Sequence, residues 1–288
     1  MMMRSEENKN QKSPLPLQPH PWLVICPSGK TQTFFSISED RCYERSIHEL
    51  GNTTIRASAQ EWLVLEDFDS TDCYLWNPIS NDKIQLPPLP YNHKLLCLLS
   101  APPNDPQCRV LFLIHETTPP DDDEDENSND DTSILLRLDV DDSSGTISTT
   151  PMTNQPPYDY FTEHLDMPHF ENYLIQSEDE LLYVYILFYG RKLEDVYKII
   201  VFRFDFVNQV WEEVKSIGET AIFLGPYSGG TTCCTRGTNL KKESIYFTKG
   251  RYLYNFNLET QSISVSLPCP HISMTNPHSY WLTHMAAK

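Results

Sequence analysis

A chain of 288 residues with 39% hydrophobic and 11% aromatic content can bury a substantial core, which excludes a disordered polypeptide. Its formal net charge of −18 argues against phosphate-backbone binding, which needs clustered Lys and Arg, and disfavours an anionic membrane surface, so neither nucleic acid nor membrane is expected as a partner. Ten glycines against 22 prolines suit many rigid turns better than a helical bundle.

The opening MMMRSEENKNQKSP has no apolar stretch and carries two Glu, so it reads as neither a secretory signal nor a transit peptide. The longest apolar run, residues 181–189, is about half the roughly 18 residues of a membrane span. Eight cysteines without a signal peptide are expected to stay reduced, in the cytoplasm and/or nucleus.

Residues 1–18 read as a flexible tail and 19–288 as a single all-β domain. Strands are predicted at 22–26, 33–37 and 42–47, then at 53–57, 61–66, 73–76 and 84–86, where Pro87-Pro88 stops the chain. Trp22-Leu23-Val24 and Trp62-Leu63-Val64 recur 40 residues apart, each followed by two further short strands. A period near 40 with several strands per repeat is the signature of propeller blades. Further candidates lie at 95–99, 110–114, 173–176, 181–187, 221–224 and 244–248.

One hairpin design recurs: a bulky apolar residue, then Asn, Asp or Ser, a polar turn, and an apolar residue further on. The copies are Phe35-Ser36…Tyr43, Trp76-Asn77…Ile84, Leu138-Asp139…Ile147, Phe204-Asp205…Trp211 and Phe256-Asn257…Ile263. The Asn or Asp can bond its own backbone and start the turn. The first hairpin has one strand too few ahead of it, and a C-terminal strand around 279–285 is expected to supply it and close the ring. The fold class is therefore all-β and propeller-like, with five or six blades of short antiparallel strands.

Two stretches interrupt the pattern. The acidic loop at 119–132 packs eight acids into residues 121–131 and is expected to be solvated. Residues 151–169 read as an irregular linker, and short helices are expected only around 46–51 and 192–197.

Catalytic chemistry has no signature. Cys26, Cys42, Cys73, Cys97, Cys108 and Cys269 are scattered without Cys-x-x-Cys spacing, and Cys233-Cys234 is read as a loop pair. His164 and His169, with Glu163, Asp166 and Glu171 nearby, lack the helical His-x-x-x-His spacing of a metal site. The Gly225–Gly230 stretch lacks the Lys-Ser or Lys-Thr of a phosphate loop and is read as a surface turn. The acidic loop lacks the alternation and glycine of a calcium loop. No cofactor, metal or catalytic residue is assigned. Aromatic residues in turns, namely Tyr91, Tyr158, Tyr160 and Tyr227, are the candidates for contact with a partner protein.

Several motifs then align with a known family. Trp22-Leu23-Val24, Glu61-Trp62-Leu63-Val64, Leu75-Trp76-Asn77-Pro78-Ile79 and Ile84-Gln85-Leu86-Pro87-Pro88-Leu89 resemble the opening of a large plant-specific propeller family. Val201-Phe202-Arg203-Phe204-Asp205, Trp211-Glu212-Glu213-Val214, Ile217–Gly225 and Ser244-Ile245-Tyr246-Phe247-Thr248 follow in the same order. In that family the propeller sits behind an F-box in kink-suppressor-type substrate receptors. The resemblance implies a non-catalytic module that captures a client protein, while the F-box docks on a Skp1-type adaptor of a cullin ubiquitin ligase. Here about 20 residues precede the first strand, too few for the three-helix F-box. Relatives also carry a further blade-sized segment before the position of Tyr173. The alternatives are a decoy or regulator without ligase coupling, a small-molecule binder or enzyme using the propeller funnel, and a family remnant with little function.

Overall fold

The computed structural model describes residues 18, 20–26, 31–59, 62–70, 72–86, 95–99, 103, 110–115, 133–134, 136–140, 147–151, 169–177, 180–188, 196–225, 229–270 and 278–282. For 57–59, 95–99, 110–115, 133–134, 136–140, 147–151, 169, 176–177 and 278 the backbone alone is described. These residues form a ring of β-sheets. Residues 1–17 of the tail, the acidic loop at 119–132, most of the 151–169 linker and residues 192–195 lie outside them.

In chain order the first strands are β1 (Trp22–Cys26), β2 (Gln32–Ser36) and β3 (Arg41–Arg45), then β4 (Thr53–Ala59), β5 (Trp62–Asp67), β6 (Cys73–Trp76) and β7 (Lys83–Leu86). Next come β8 (Leu95–Leu99), β9 (Val110–His115), β10 (Ser133–Ile134), β11 (Leu136–Val140) and β12 (Ile147–Pro151). The chain continues with β13 (His169–Ser177), β14 (Glu180–Phe188), β15 (Val196–Asp205) and β16 (Val210–Val214). The last strands are β17 (Thr220–Gly225), β18 (Gly229–Cys234), β19 (Ser244–Lys249), β20 (Tyr252–Asn257), β21 (Ser262–Ser266) and β22 (His278–Leu282).

Four sheets are complete blades: β22-β1-β2-β3, β4-β5-β6-β7, β13-β14-β15-β16 and β18-β17-β19-β20-β21. We call these the first to fourth blades. Among the described residues the expected count of five or six is thereby corrected to four complete blades. The strands between the second and third blades form a three-stranded sheet, β10-β9-β8, and a separate hairpin, β11-β12. β11 lies alongside β9, yet no ladder joins them into one sheet. Within the blades every pairing is antiparallel except β17 with β19, which run parallel because β18 folds back on the inner side of β17.

The expected closure is present. β22 pairs antiparallel with β1 over five residues, from Trp22 opposite Leu282 to Cys26 opposite His278. Of the two short helices expected, the one around 46–51 is present as a single 3-10 turn, His48–Leu50, while of 192–197 only Val196 and Tyr197 are described, and they open β15.

The recurrent hairpin motif has a physical basis in four described turns. Asn77 Oδ1 accepts hydrogen bonds from the backbone N–H of Ile79 (2.8 Å) and Ser80 (3.0 Å). Asp205 Oδ1 accepts from Val207 (2.7 Å) and Asn208 (3.1 Å), and Asn257 Oδ1 accepts from Thr260 (2.8 Å). In the first blade the Ser36 hydroxyl meets that of Ser38 at 3.3 Å. Each turn then places one residue in the left-handed region, Asp40 (φ 52°), Asn81 (φ 64°), Gln209 (φ 57°) and Gln261 (φ 54°), which turns the chain back into the outer strand. The backbone N–H and then the side-chain amide of Asn208, with the N–H of Val207, hold the Asp205 carboxyl below its ordinary value.

The blades are held by cores between them. Along β1, Trp22 and Val24 face the second blade, while Leu23 and Ile25 face the fourth. β22 divides the same way, with Tyr280 and Leu282 on one side and Trp281 on the other. In β17, Ala221 and Phe223 meet the first blade, and Ile222 and Leu224 meet the third. Strands covered on both faces read as continuous apolar runs rather than alternations, which is why WLVIC, CYLW and AIFL carry so clear a signal. The largest core joins the third and fourth blades through Val184, Ile186, Phe188, Ile245, Phe247 and Phe256.

Candidate protein-recognition surface

The four tyrosines expected to touch a partner, Tyr91, Tyr158, Tyr160 and Tyr227, all lie outside the described residues, as do His164, Glu163, Asp166 and Cys108.

At the centre, β18 corrects two expectations. Cys233-Cys234 is not a loop pair and Gly229-Gly230 is not part of a surface turn, because both stand in a strand paired with β17 from Thr220–Cys234 to Gly225–Gly229. β18 lies against β13 of the third blade and β4 of the second, so it occupies the middle of the ring. Glycine permits this approach. A Cβ on Gly230 would stand 2.5 Å from Ile175 Cγ1 and 3.1 Å from Leu224 Cδ2, and both neighbours are fully buried. Gly230→Ala is therefore expected to lower stability by about 1–3 kcal/mol through overpacking, measured by urea denaturation against the parent chain. Burial pushes the Cys233 thiol up to about 11, so it is inert at neutral pH.

Ionisable side chains do converge near the inner strands, but they are mutually engaged. Tyr173 donates its hydroxyl proton to Glu171 Oε2 at 2.7 Å, and Lys249 Nζ stands 3.9 Å from Glu171 Oε1 and 3.3 Å above the Phe188 ring. Burial, and then the neighbouring carboxylate, raise the Tyr173 hydroxyl well above its ordinary value, so it stays protonated. The group ties β13 to β19. Among the described residues no three His, Cys, Asp or Glu side chains are grouped to hold a metal ion.

The rim offers a different chemistry. Outer strands of a sheet expose unpaired backbone groups, and proteins blunt them with charge, proline or bulges. β3 carries Arg41, Glu44 and Arg45, β7 carries Lys83, and β16 carries Glu212 and Glu213. β21, Ser-Ile-Ser-Val-Ser, carries no charge although it belongs to a chain of net charge −18. All five of its residues are exposed, with Ile263 at 43% and Val265 at 53%. The two stand opposite Phe256 and Tyr254 of β20, so they extend the same face outward past the core. Ser264 and Ser266 alternate with them, and β21 is the last strand of its sheet among the described residues, so its outer edge is open. A second apolar projection, Phe206 (56% exposed) with Val207 (89%), tips the β15–β16 turn. Sequence reasoning placed Ile263 in the far arm of a hairpin but did not single β21 out as a binding edge, because alternating Ser and β-branched residues read as an ordinary half-buried strand.

Comparison with known proteins fits this architecture. The KIB1-4 beta-propeller family model matches residues 34–124 and 127–267. An F-box protein of Arabidopsis thaliana, At4g12382, is 32% identical over 72 residues, which is 25% of this chain and 52% of that protein. The chain thus spans about half the length of this curated relative. Among the described residues no helix is long and apolar enough to cross a membrane. The family match takes in β3 to β21 in order, leaving out only β1, β22 and the first two residues of β2, and on that match the chain belongs to the KIB1-4 beta-propeller family.

Proposed function

We propose that this chain is a client-recognition propeller, which captures an extended segment of a protein destined for ubiquitination by adding it as a further strand on β21. The observation that carries the reading is the uncharged, exposed edge at Ser262–Ser266 in a strongly acidic chain whose other complete blades end in charged strands. Main-chain hydrogen bonds would supply affinity, and contacts with Ile263 and Val265 would supply selectivity. A propeller family linked to F-box proteins supports an interaction role. The position of β18 in the middle of the ring favours recognition at the rim over a ligand in a central funnel.

The test is affinity purification of the tagged chain from plant tissue with a proteasome inhibitor present, read by mass spectrometry. A reproducible client is expected, and the paired change Ile263→Lys with Val265→Lys is expected to weaken its capture about 30- to 150-fold. That is the loss from two apolar contacts worth about 1–1.5 kcal/mol each. A control pair, Glu212→Lys with Glu213→Lys on the edge of the third blade, is expected to leave capture intact. Client binding insensitive to the β21 pair would overturn the edge assignment. Co-recovery of a Skp1-type adaptor and cullin would support coupling to a ligase, and a client without them would make the chain a stand-alone binder or decoy.

A further inference from the structure

The seam of the ring holds a feature that the recognition reading does not use. The first blade is assembled from the two ends of the described chain, β22 and β1–β3, and the segment that leaves β21 crosses to it from the fourth blade. Cys42, on the outer strand β3, and Cys269, three residues beyond β21, meet there with their sulfurs 2.7 Å apart. They are 227 positions apart in sequence, and both are free thiols. A disulfide needs about 2.05 Å between sulfurs, so a shift of well under one ångström joins them.

We propose that Cys42 and Cys269 form a disulfide site, oxidised by a hydroperoxide, that stitches the first blade to the fourth at the point where the ring closes. Their surroundings divide the two roles. Cys42 is half-buried, whereas Cys269 is buried among Leu23, Ile25, Leu253 and Trp281. The hydrogen bond from the Cys269 thiol lowers the Cys42 thiol from its ordinary value, although burial and the carboxylates of Asp40 and Glu44 oppose it. That same bond, with burial, keeps Cys269 protonated. Asp40 and Glu44 also disfavour an anionic oxidant such as a small acidic disulfide, and favour a small neutral peroxide. Cys42, half-buried on an outer strand, is the thiol open to that oxidant, whereas the nearby pocket lined by Arg251, Tyr252 and Pro268 reaches Cys269.

The steps balance. The Cys42 thiolate attacks one oxygen of hydrogen peroxide, the O–O bond breaks, and the departing hydroxide takes a proton to leave as water. Cys42 is then a sulfenic acid. The Cys269 sulfur attacks the Cys42 sulfur, the S–O bond breaks, and the hydroxyl leaves with the Cys269 proton as a second water. The two thiols have given two electrons to the peroxide. A dithiol reductant reverses the bond by exchange.

The experiment exposes the purified full chain to a small excess of hydrogen peroxide, then maps linked peptides by mass spectrometry and records thermal unfolding. A Cys42–Cys269 peptide is expected as the main product. The oxidised chain is expected to melt roughly 5–10 °C higher, because closing so long a loop constrains the unfolded chain strongly, and dithiothreitol should reverse the shift. Cys42→Ser and Cys269→Ser should each lose both the linkage and the shift while unfolding cooperatively near the reduced parent. If either variant does not fold, the linked-peptide map of the parent and its reversal by dithiothreitol decide alone. Linkage at Cys233–Cys234 or another pair in place of this one, or peroxide consumption with no linkage, would overturn the proposal.

Discussion

A chain truncated to end at residue 278 is expected to lose its single cooperative unfolding transition. It should also bind a hydrophobic dye that the full chain does not bind. The residues removed include most of β22, the inner strand of the first blade. Tyr280 and Leu282 leave the core shared with the second blade, Trp281 leaves the core shared with the fourth, and the Thr248–Ser279 hydroxyl contact of 2.8 Å is lost. Those losses fall on both sides of one blade at once, so the ring opens instead of shrinking. The edge of β1, apolar and buried in the intact ring, then becomes a template for aggregation. A single replacement separates packing from closure. Trp281 is 3% exposed, donates its indole N–H to Leu224 O at 2.9 Å and packs on Phe223 at 5.0 Å between ring centres. Trp281→Ala is expected to cost about 3–5 kcal/mol while retaining one transition. For a chain of this length that lowers the melting temperature by roughly 6–20 °C, read by circular dichroism. A truncated chain that melts like the parent would sink the closure argument.

The closing strand was legible because it answers a deficit. Four hairpins had two partner strands upstream and the first had only one, so Tyr280-Trp281-Leu282 had a vacancy to fill. Strands covered on both faces were equally legible, since burying both sides demands unbroken Leu, Val, Ile, Phe and Trp. β18 was not. Gly229-Gly230-Thr-Thr-Cys-Cys has the composition of a turn, and its extended state is imposed by the β17 ladder and by the side chain of Ile175, which only glycine lets in. Local composition cannot report a constraint set by a strand more than fifty residues earlier in the chain. The blade count failed for a related reason. β9 and β11 each read as strands, but whether a ladder joins them depends on register and not on apolar pattern.

The site was less legible than the fold. Tyrosines were chosen by residue type, whereas β21 is distinguished by contrast with three other edges, which requires knowing which strands are outermost. The same holds for Cys42 and Cys269. Each looks like an ordinary strand or loop cysteine in its own neighbourhood, and only the seam brings them together.

Glu243 shows how a residue with no sequence signal can carry a large effect. Replacing it with Ala is expected to destabilise the chain by about 3 kcal/mol, and with Gln by clearly less. Its side chain is 5% exposed and charged, which is tolerated only when the carboxylate is well bonded. It accepts from Ile217 N at 2.7 Å, Gly218 N at 2.9 Å and Ser216 Oγ at 2.5 Å, so three consecutive residues of the connection between the third and fourth blades hang on one side chain. Its main chain completes the joint, donating to Gly218 O at 3.3 Å and accepting from Leu258 N at 2.7 Å. Ala removes every side-chain acceptor and strands the buried N–H of Ile217, a cost of about 1–3 kcal/mol, while the exposed Ser216 hydroxyl and Gly218 N–H turn to water. Gln keeps one acceptor oxygen in place, so the Ile217 bond survives without its charge assistance. The backbone contributes nothing to the difference, because Glu243 sits at φ 56° and Ala and Gln tolerate that region as poorly as Glu does. Guanidinium denaturation of the three proteins measures the order. Equal stability of Glu243→Ala and the parent would mean that water replaces the carboxylate at the joint, and that the blades are held by their apolar cores alone.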